Sequence, residues 1–163
     1  IDKGHEEIAF IMTSKDDTVL ERERLSGYEQ ALNESNIKLD ESLIKYGGTT
    51  YEAGYESMKE LLEEGIVPQA AFVTGDEAAI GAINAACDKG YKVPEDISVA
   101  GFNDVKIAKM YRPKLTTVYQ PLYDMGAVAI RMVIKLINKE QLESKKIELP
   151  YKIIERESVI PRK

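Results

Sequence analysis

Short apolar runs alternate along the chain with longer stretches whose apolar positions recur every three or four residues. That alternation predicts βαβ units around a mainly parallel sheet flanked by helices, an α/β fold. Ile8-Ala9-Phe10-Ile11-Met12, bounded by polar residues, reads as a buried strand. Leu25, Tyr28, Ala31 and Leu32 share one face of a helix expected from about Thr18 to Ser35, and Asn33 to Asn36 ends the pattern. Leu43 to Tyr46 predicts a second strand, closed by Gly47-Gly48. Thr50 then introduces a helix with Tyr55, Met58, Leu61 and Leu62 on one side, stopped by Gly65 and Pro68.

The third strand is expected at Ala70 to Val73. A small-residue helix follows from Asp76 to Lys89, ending at Gly90, and its slim face suits close approach to another helix or subunit. Pro94-Glu95-Asp96 turns into a strand from Ile97 to Phe102. Successive strands thus start about 30 residues apart, the length a βαβ crossover requires. Beyond Phe102 come a short segment from Val105 to Met110, a break at Arg112-Pro113 and an extended stretch from Leu115 to Tyr119. Pro121 opens a helix running to about Asn138, with Met125, Ala129, Met132, Val133 and Leu136 on its apolar side. The tail offers extended segments at Ile147 to Leu149 and Ile153 to Ile160, and a basic end at Arg162-Lys163.

Composition narrows the function classes. The chain has 163 residues, 44% hydrophobic and 31% charged, enough for one domain. No run approaches the roughly 20 apolar residues that a membrane-spanning helix needs. No export signal is visible, and one cysteine, Cys87, forms no internal disulfide, so a cytoplasmic location is expected. The net charge of −6, from 28 acidic against 22 basic residues, repels a phosphate backbone, so this segment by itself is not expected to grip DNA. A single histidine, His5, read as a strand-edge residue, excludes paired-histidine metal sites and leaves no base for a serine nucleophile. Gly47-Gly48-Thr49-Thr50 lacks the lysine of a nucleotide-cradling loop. Neither catalysis nor a cofactor or metal is expected.

Open α/β sheets bind ligands beyond the carboxyl ends of their strands. Three candidates stand there. Asp76, after Thr74-Gly75, can cap its helix or face a ligand. Asn103-Asp104 can hydrogen-bond a polyol or stabilise a turn. Arg24, or its neighbour Arg22, can grip hydroxyls or phosphate. On the helix after Pro121, Asp124, Ala127, Val128, Arg131 and Lys135 form a stripe at steps of three or four. It suits a partner with an anionic group beside an apolar patch, or it is a solvated face.

Together these segments resemble the LacI/GalR family of regulators over essentially the whole chain. The resemblance is carried by Gly4-His5 ahead of Ile8-Ala9-Phe10, by Arg24 with Gly27-Tyr28 and Ala31-Leu32, and by Asp76 with Ala79-Ile80-Gly81-Ala82. Val93 to Phe102 and Pro113-(x)-Leu115-Thr116-Thr117-Val118 add to it. Gln120 to Ala129 is most similar to the branch governing carbon catabolite repression. The resemblance implies the carboxy-terminal lobe of a periplasmic-binding-protein-like (type I) effector domain over 1–119. It also implies a crossover helix belonging to the amino-terminal lobe over 120–138 and return strands over 139–163, with the DNA-binding headpiece outside this chain. It implies a corepressor, the phosphocarrier HPr phosphorylated on serine, contacting Leu122, Tyr123, Asp124, Ala127, Val128, Arg131 and Lys135.

The implied effector cleft holds Arg24, Asp76 and Asn103, with a small sugar phosphate as a further effector. Asn103 stands where the family commonly has aspartate, and Gly75 where some sugar-binding members carry asparagine. Both departures favour control by a protein over control by a free sugar. A homodimer through Ala79, Ile80, Met110 and Tyr111 is implied as well. The alternative is a sugar-binding receptor of the periplasmic-binding-protein type.

Overall fold

A computed structural model describes residues 1–12 and 19–162. One sheet has the order β2-β1-β3-β4-β5-β6, built from β1 (Ile8–Met12), β2 (Ile44–Tyr46), β3 (Ala70–Val73), β4 (Ser98–Asn103), β5 (Thr116–Tyr119) and β6 (Lys152–Ile154). All neighbours are parallel except β6, which lies antiparallel on β5 with Val118 opposite Ile153. The helices are α1 (Val19–Glu34), α2 (Tyr51–Glu63), α3 (Asp76–Asp88), α4 (Lys106–Met110) and α5 (Leu122–Ile137). The fold is therefore the expected mixed, mostly parallel sheet flanked by helices.

Local chemistry sets the boundaries. Thr50 caps α2, its hydroxyl accepting from the Ala53 N–H at 3.3 Å. Leu43, expected to begin a strand, instead closes a 3-10 turn (Glu41–Leu43) because the Asp40 carboxylate takes the Ser42 N–H at 2.9 Å, and β2 starts at Ile44. Asn36, at φ 56, ends the α1 turn, with the Ile37 N–H reaching back to the Leu32 carbonyl at 2.9 Å. The expected start of that helix at Thr18, and the terminal Lys163, lie outside the described residues. Ile147 to Leu149 forms no strand: these residues line a groove with α5 instead of meeting the sheet.

The two faces of the sheet are packed differently. On one, Ala9, Ile11, Ala71, Val73 and Val99 meet Met58 and Leu61 of α2 and Ala79, Ala82, Ile83 and Ala86 of α3, all buried. On the other, Phe10 stacks on Tyr28 of α1 at 4.7 Å and on Phe72 at 5.6 Å, and Phe102 meets Phe72 edge-on at 6.2 Å. The Tyr28 hydroxyl donates to the Ile8 carbonyl at 2.8 Å, and burial pushes its pKa up to about 12. The tail is sewn into the sheet by Ser158. Its hydroxyl donates to the Val99 carbonyl at 2.6 Å and accepts from the Thr116 N–H at 2.8 Å.

His5 lies just ahead of β1 and is buried. Burial, reinforced by the cationic groups around it, including Arg162 and Lys3, holds its imidazole below the ordinary 6.5. The unfolded chain then takes the proton first, so the stability that neutral His5 contributes is lost as pH falls through 6.5. His5→Gln is expected to flatten the decline in urea stability between about pH 7.5 and 5.5. An identical slope in both proteins would count against it.

Candidate functional site

The carboxyl ends of β3, β4 and β5 form one end of the sheet, and three sequence-predicted residues gather there. Asp76 does not cap α3; the cap is Gly75, which has no side chain to offer, and Asp76 is the first helical residue. Its carboxylate turns toward the sheet. There Oδ1 accepts from the Thr117 hydroxyl at 2.6 Å and Oδ2 from the Val105 N–H at 2.7 Å. Burial pushes the carboxyl pKa up, and these two hydrogen bonds oppose the shift. Both oxygens are committed, so Asp76 ties α3 to β5 and to the loop after β4, correcting the expectation of a cap.

Asn103 and Asp104 both adopt left-handed backbone, at φ 106 and 54. Asparagine and aspartate tolerate that region better than most residues. The Asn103 Oδ1 accepts from the Gln120 amide at 2.9 Å, leaving its own N–H groups to donate. Asp104 pairs with Arg156 at 2.6 Å and with Lys109 at 3.3 Å. Arg24 lies with its guanidinium over the Phe102 ring, 4.9 Å from the centroid, and donates to Glu21 at 2.8 Å. Arg22, by contrast, is exposed on α1. Thr74, at the end of β3, is buried, and its hydroxyl has no partner.

The second expected surface is α5, none of whose residues is buried. Tyr123 is 88% exposed and Leu122 48%, with Asp124 exposed and Ala127 and Val128 half-buried. Arg131 and Lys135 are exposed, with no ion pair among the described residues. With Val128, Met132, Leu142, Glu143, Ser144 and Ile147 they line a depression of about 330 Å³. The apolar side is equally open, Met125, Val133 and Leu136 being 42%, 47% and 58% exposed. Beneath the helix a groove of about 750 Å³ runs between Met125, Ala129 and Met132 and the tail residues Ile147, Leu149 and Tyr151.

Ala79 and Ile80, expected at a subunit interface, are enclosed by this chain itself at 0% and 5% exposure. The small residues of α3 serve contact with α2: a Cβ on Gly54 would lie 1.9 Å from the Ala78 carbonyl oxygen, and one on Gly81 1.9 Å from that of Tyr51. Met110 is 63% exposed, and half-buried Tyr111 donates its hydroxyl to Asn84. Sequence reasoning missed Glu21, Thr117, Gln120 and Arg156 as partners of the site. Only the Glu21–Arg24 pair left a signal, the i,i+3 spacing of opposite charges on a helix.

A model of the periplasmic binding protein-like domain matches residues 1–159. Catabolite control protein A of Priestia megaterium is 42% identical over 158 residues, covering 97% of this chain and 48% of that protein. The crystal structure of the transcription regulator CcpA of Lactococcus lactis superposes with a TM-score of 0.89 at 42% identity, over 97% of this chain and 57% of that one. The transcriptional regulator CelR in complex with cellobiose gives 0.90 at 34% identity, over 96% and 48%. The chain spans about half the length of the curated relatives it matches. It belongs to the periplasmic binding protein-like domain family, and within that family it is homologous to catabolite control protein A and other LacI-family regulators.

Proposed function

We propose that this chain is the effector- and corepressor-responsive part of a LacI-family regulator of carbon catabolite repression, and that α5 receives serine-phosphorylated HPr. One observation carries the reading: two exposed cations without ion-pair partners among the described residues, Arg131 and Lys135, stand on a helix that also presents Tyr123 and Val128. A phosphoserine accepts charge-assisted hydrogen bonds from such cations, and the neighbouring apolar surface supplies contact area. Leu122, Asp124 and Ala127 complete the surface in this reading. The 42% identity to catabolite control protein A supports the coarser part of this reading, a regulator of the LacI family.

The strand-tip cleft holding Arg24 and Asn103 is a small-molecule effector site in this reading, and a ligand there biases the relation between the two lobes of the complete domain. The helix α5, none of whose residues is buried, then belongs to the other lobe, while 1–119 and the tail after 138 form this one. DNA contact resides outside these residues. Met110 and Tyr111 are the expected part of a homodimer contact that remains accessible.

The test is titration of serine-phosphorylated HPr onto the wild-type chain and Arg131→Glu, with unphosphorylated HPr as control. Reversing a charge that meets a phosphate is expected to weaken binding at least about tenfold, with the thermal midpoint unchanged. Equal affinity of the two proteins would refute the assignment of α5.

A further inference from the structure

We propose a second small-molecule site at the amino ends of β1, β3 and β4, in a hollow whose chemistry suits the zwitterionic head of a free α-amino acid. It lies at the end of the sheet away from the strand tips. It therefore goes beyond the proposed readings of the cleft and of α5 and depends on neither.

The hollow has a volume of about 550 Å³, within the range of small-molecule sites. His5 precedes β1, Gln69 precedes β3, and Pro94 and Asp96 precede β4, so the approaches to parallel strands converge here. The tail closes one side: the Ile160 N–H donates to the Ser98 hydroxyl at 3.3 Å, and the Arg162 N–H to the Lys3 carbonyl at 2.7 Å. The Ser98 N–H in turn donates to the Gln69 carbonyl at 3.0 Å. These walls are held by backbone ties before any ligand arrives, which lowers the cost of binding.

Uncommitted donors line it. His5 is only 5% exposed, yet its imidazole has no hydrogen-bond partner among the described residues. Buried polar groups are normally paired, so a ring that borders a hollow without a partner has an N–H ready for a ligand. The Glu6 and Glu7 N–H groups donate to the Gln69 Oε1 at 2.8 and 3.3 Å, which fixes that amide and leaves its nitrogen end to donate. The half-buried Tyr91 hydroxyl is likewise without a partner among the described residues. A carboxylate, which only accepts, satisfies such groups. The charges in the lining add a second requirement. Neither Arg162 nor Glu95 stands in an ion pair among the described residues, and the Asp96 carboxylate accepts only the Lys92 N–H, at 2.7 Å. Lys3, the other cation near His5, is taken by Glu155 at 2.8 Å. A plain anion gains Arg162 and is repelled by two carboxylates, whereas a plain cation leaves the donors unsatisfied. A zwitterion uses both sets. Val67 and Ile160, 40% and 37% exposed, offer apolar surface to a short aliphatic side chain.

His5 is the only histidine, so its ring proton resonances report this place alone. The chain is titrated at about pH 7.5, where the imidazole is neutral, with L-valine, with isovalerate, which lacks the ammonium, and with isobutylamine, which lacks the carboxylate. L-valine is expected to shift the His5 ring and the Gln69 side-chain amide together and saturably, with Kd on the order of 1 mM. Isobutylamine should bind about tenfold more weakly, having nothing to accept from the donors, and isovalerate about threefold more weakly. Arg162→Gln and Glu95→Gln, both at exposed positions, should each weaken L-valine about threefold with the thermal midpoint unchanged.

Isovalerate binding as tightly as L-valine would overturn the zwitterion in favour of a plain carboxylate, and isobutylamine binding as tightly would overturn it in favour of a plain amine. Those comparisons need no variant. Absence of any saturable shift at His5 and Gln69 up to about 50 mM L-valine would overturn the site itself. None of these outcomes touches the assignment of α5, which is read by a different titration.

Discussion

Alanine at Gly54 or at Gly81 is expected to cost the domain about 3 kcal/mol, seen as a fall in the urea midpoint with an unchanged slope. The added Cβ at 54 would lie 1.9 Å from the Ala78 carbonyl oxygen and 2.5 Å from its carbon. At 81 it would meet the Tyr51 oxygen at 1.9 Å and the Tyr55 nitrogen at 2.8 Å. These obstacles are backbone, so no side-chain rotation relieves them. The helices must separate, opening the tightly packed layer of Met58, Leu61, Ala82 and Ile83. Gly27→Ala is the internal comparison. It lies within α1 with nothing within 4 Å of the new Cβ, and it should gain up to about 1 kcal/mol from helix propensity. Midpoints for the α2 and α3 variants within error of the wild type would show that the two helices are not in such close contact.

Arg156→Met carries a comparable expected loss, about 3 kcal/mol, through a different mechanism. The guanidinium bonds the Leu115 carbonyl at 2.8 Å and Asp104 at 2.6 Å, and the two side chains are 12% and 6% exposed. Without it, the buried Asp104 carboxylate keeps, among the described residues, only Lys109 as an ion-pair partner, which is 60% exposed and 3.3 Å away. Much of the penalty is thus the charge left behind. Combining the change with Asp104→Asn should restore more than half of the loss, since asparagine also accepts the left-handed backbone at that position. Strict additivity of the two single substitutions in the same urea titration would rule the pair out as the cause.

The order of strands and helices was readable because each strand is a short apolar run and each helix has its own apolar spacing, as at Phe10 and at Leu61. The stripe on α5 was readable for the same reason, being set by positions only three and four apart. Asp76 was not. Its partners arrive from 29 and 41 residues away, so its neighbours in sequence suggested a cap that the fold does not use. Arg156 meets Asp104 across 52 residues and left no local trace. For Ala79 and Ile80 the chain announced that something approaches α3 closely, but small residues do not name the visitor: α2 meets Ala78 and Gly81, and Ala79 faces Gly101 of β4. Tail residues Ile147 to Leu149 have strand-like composition, yet Ile147 and Leu149 line the groove beside α5 and the segment pairs with no strand.

The attachment of α5 has a mechanical consequence. Its amino-terminal root follows directly on β5, whereas 14 residues separate Ile137 from Lys152, where β6 begins; β5 and β6 are nearest neighbours joined in antiparallel register from Thr117–Ile154 to Tyr119–Lys152. The helix is therefore a lever held closely at one end only: its displacement reaches the sheet first through β5, whose ladder with β6 resists sliding. The Gln120–Asn103 hydrogen bond sits at the fulcrum. Force applied to the outer helix is delivered first to Asn103 at the tip of β4, and force applied at that strand tip returns along the same short path.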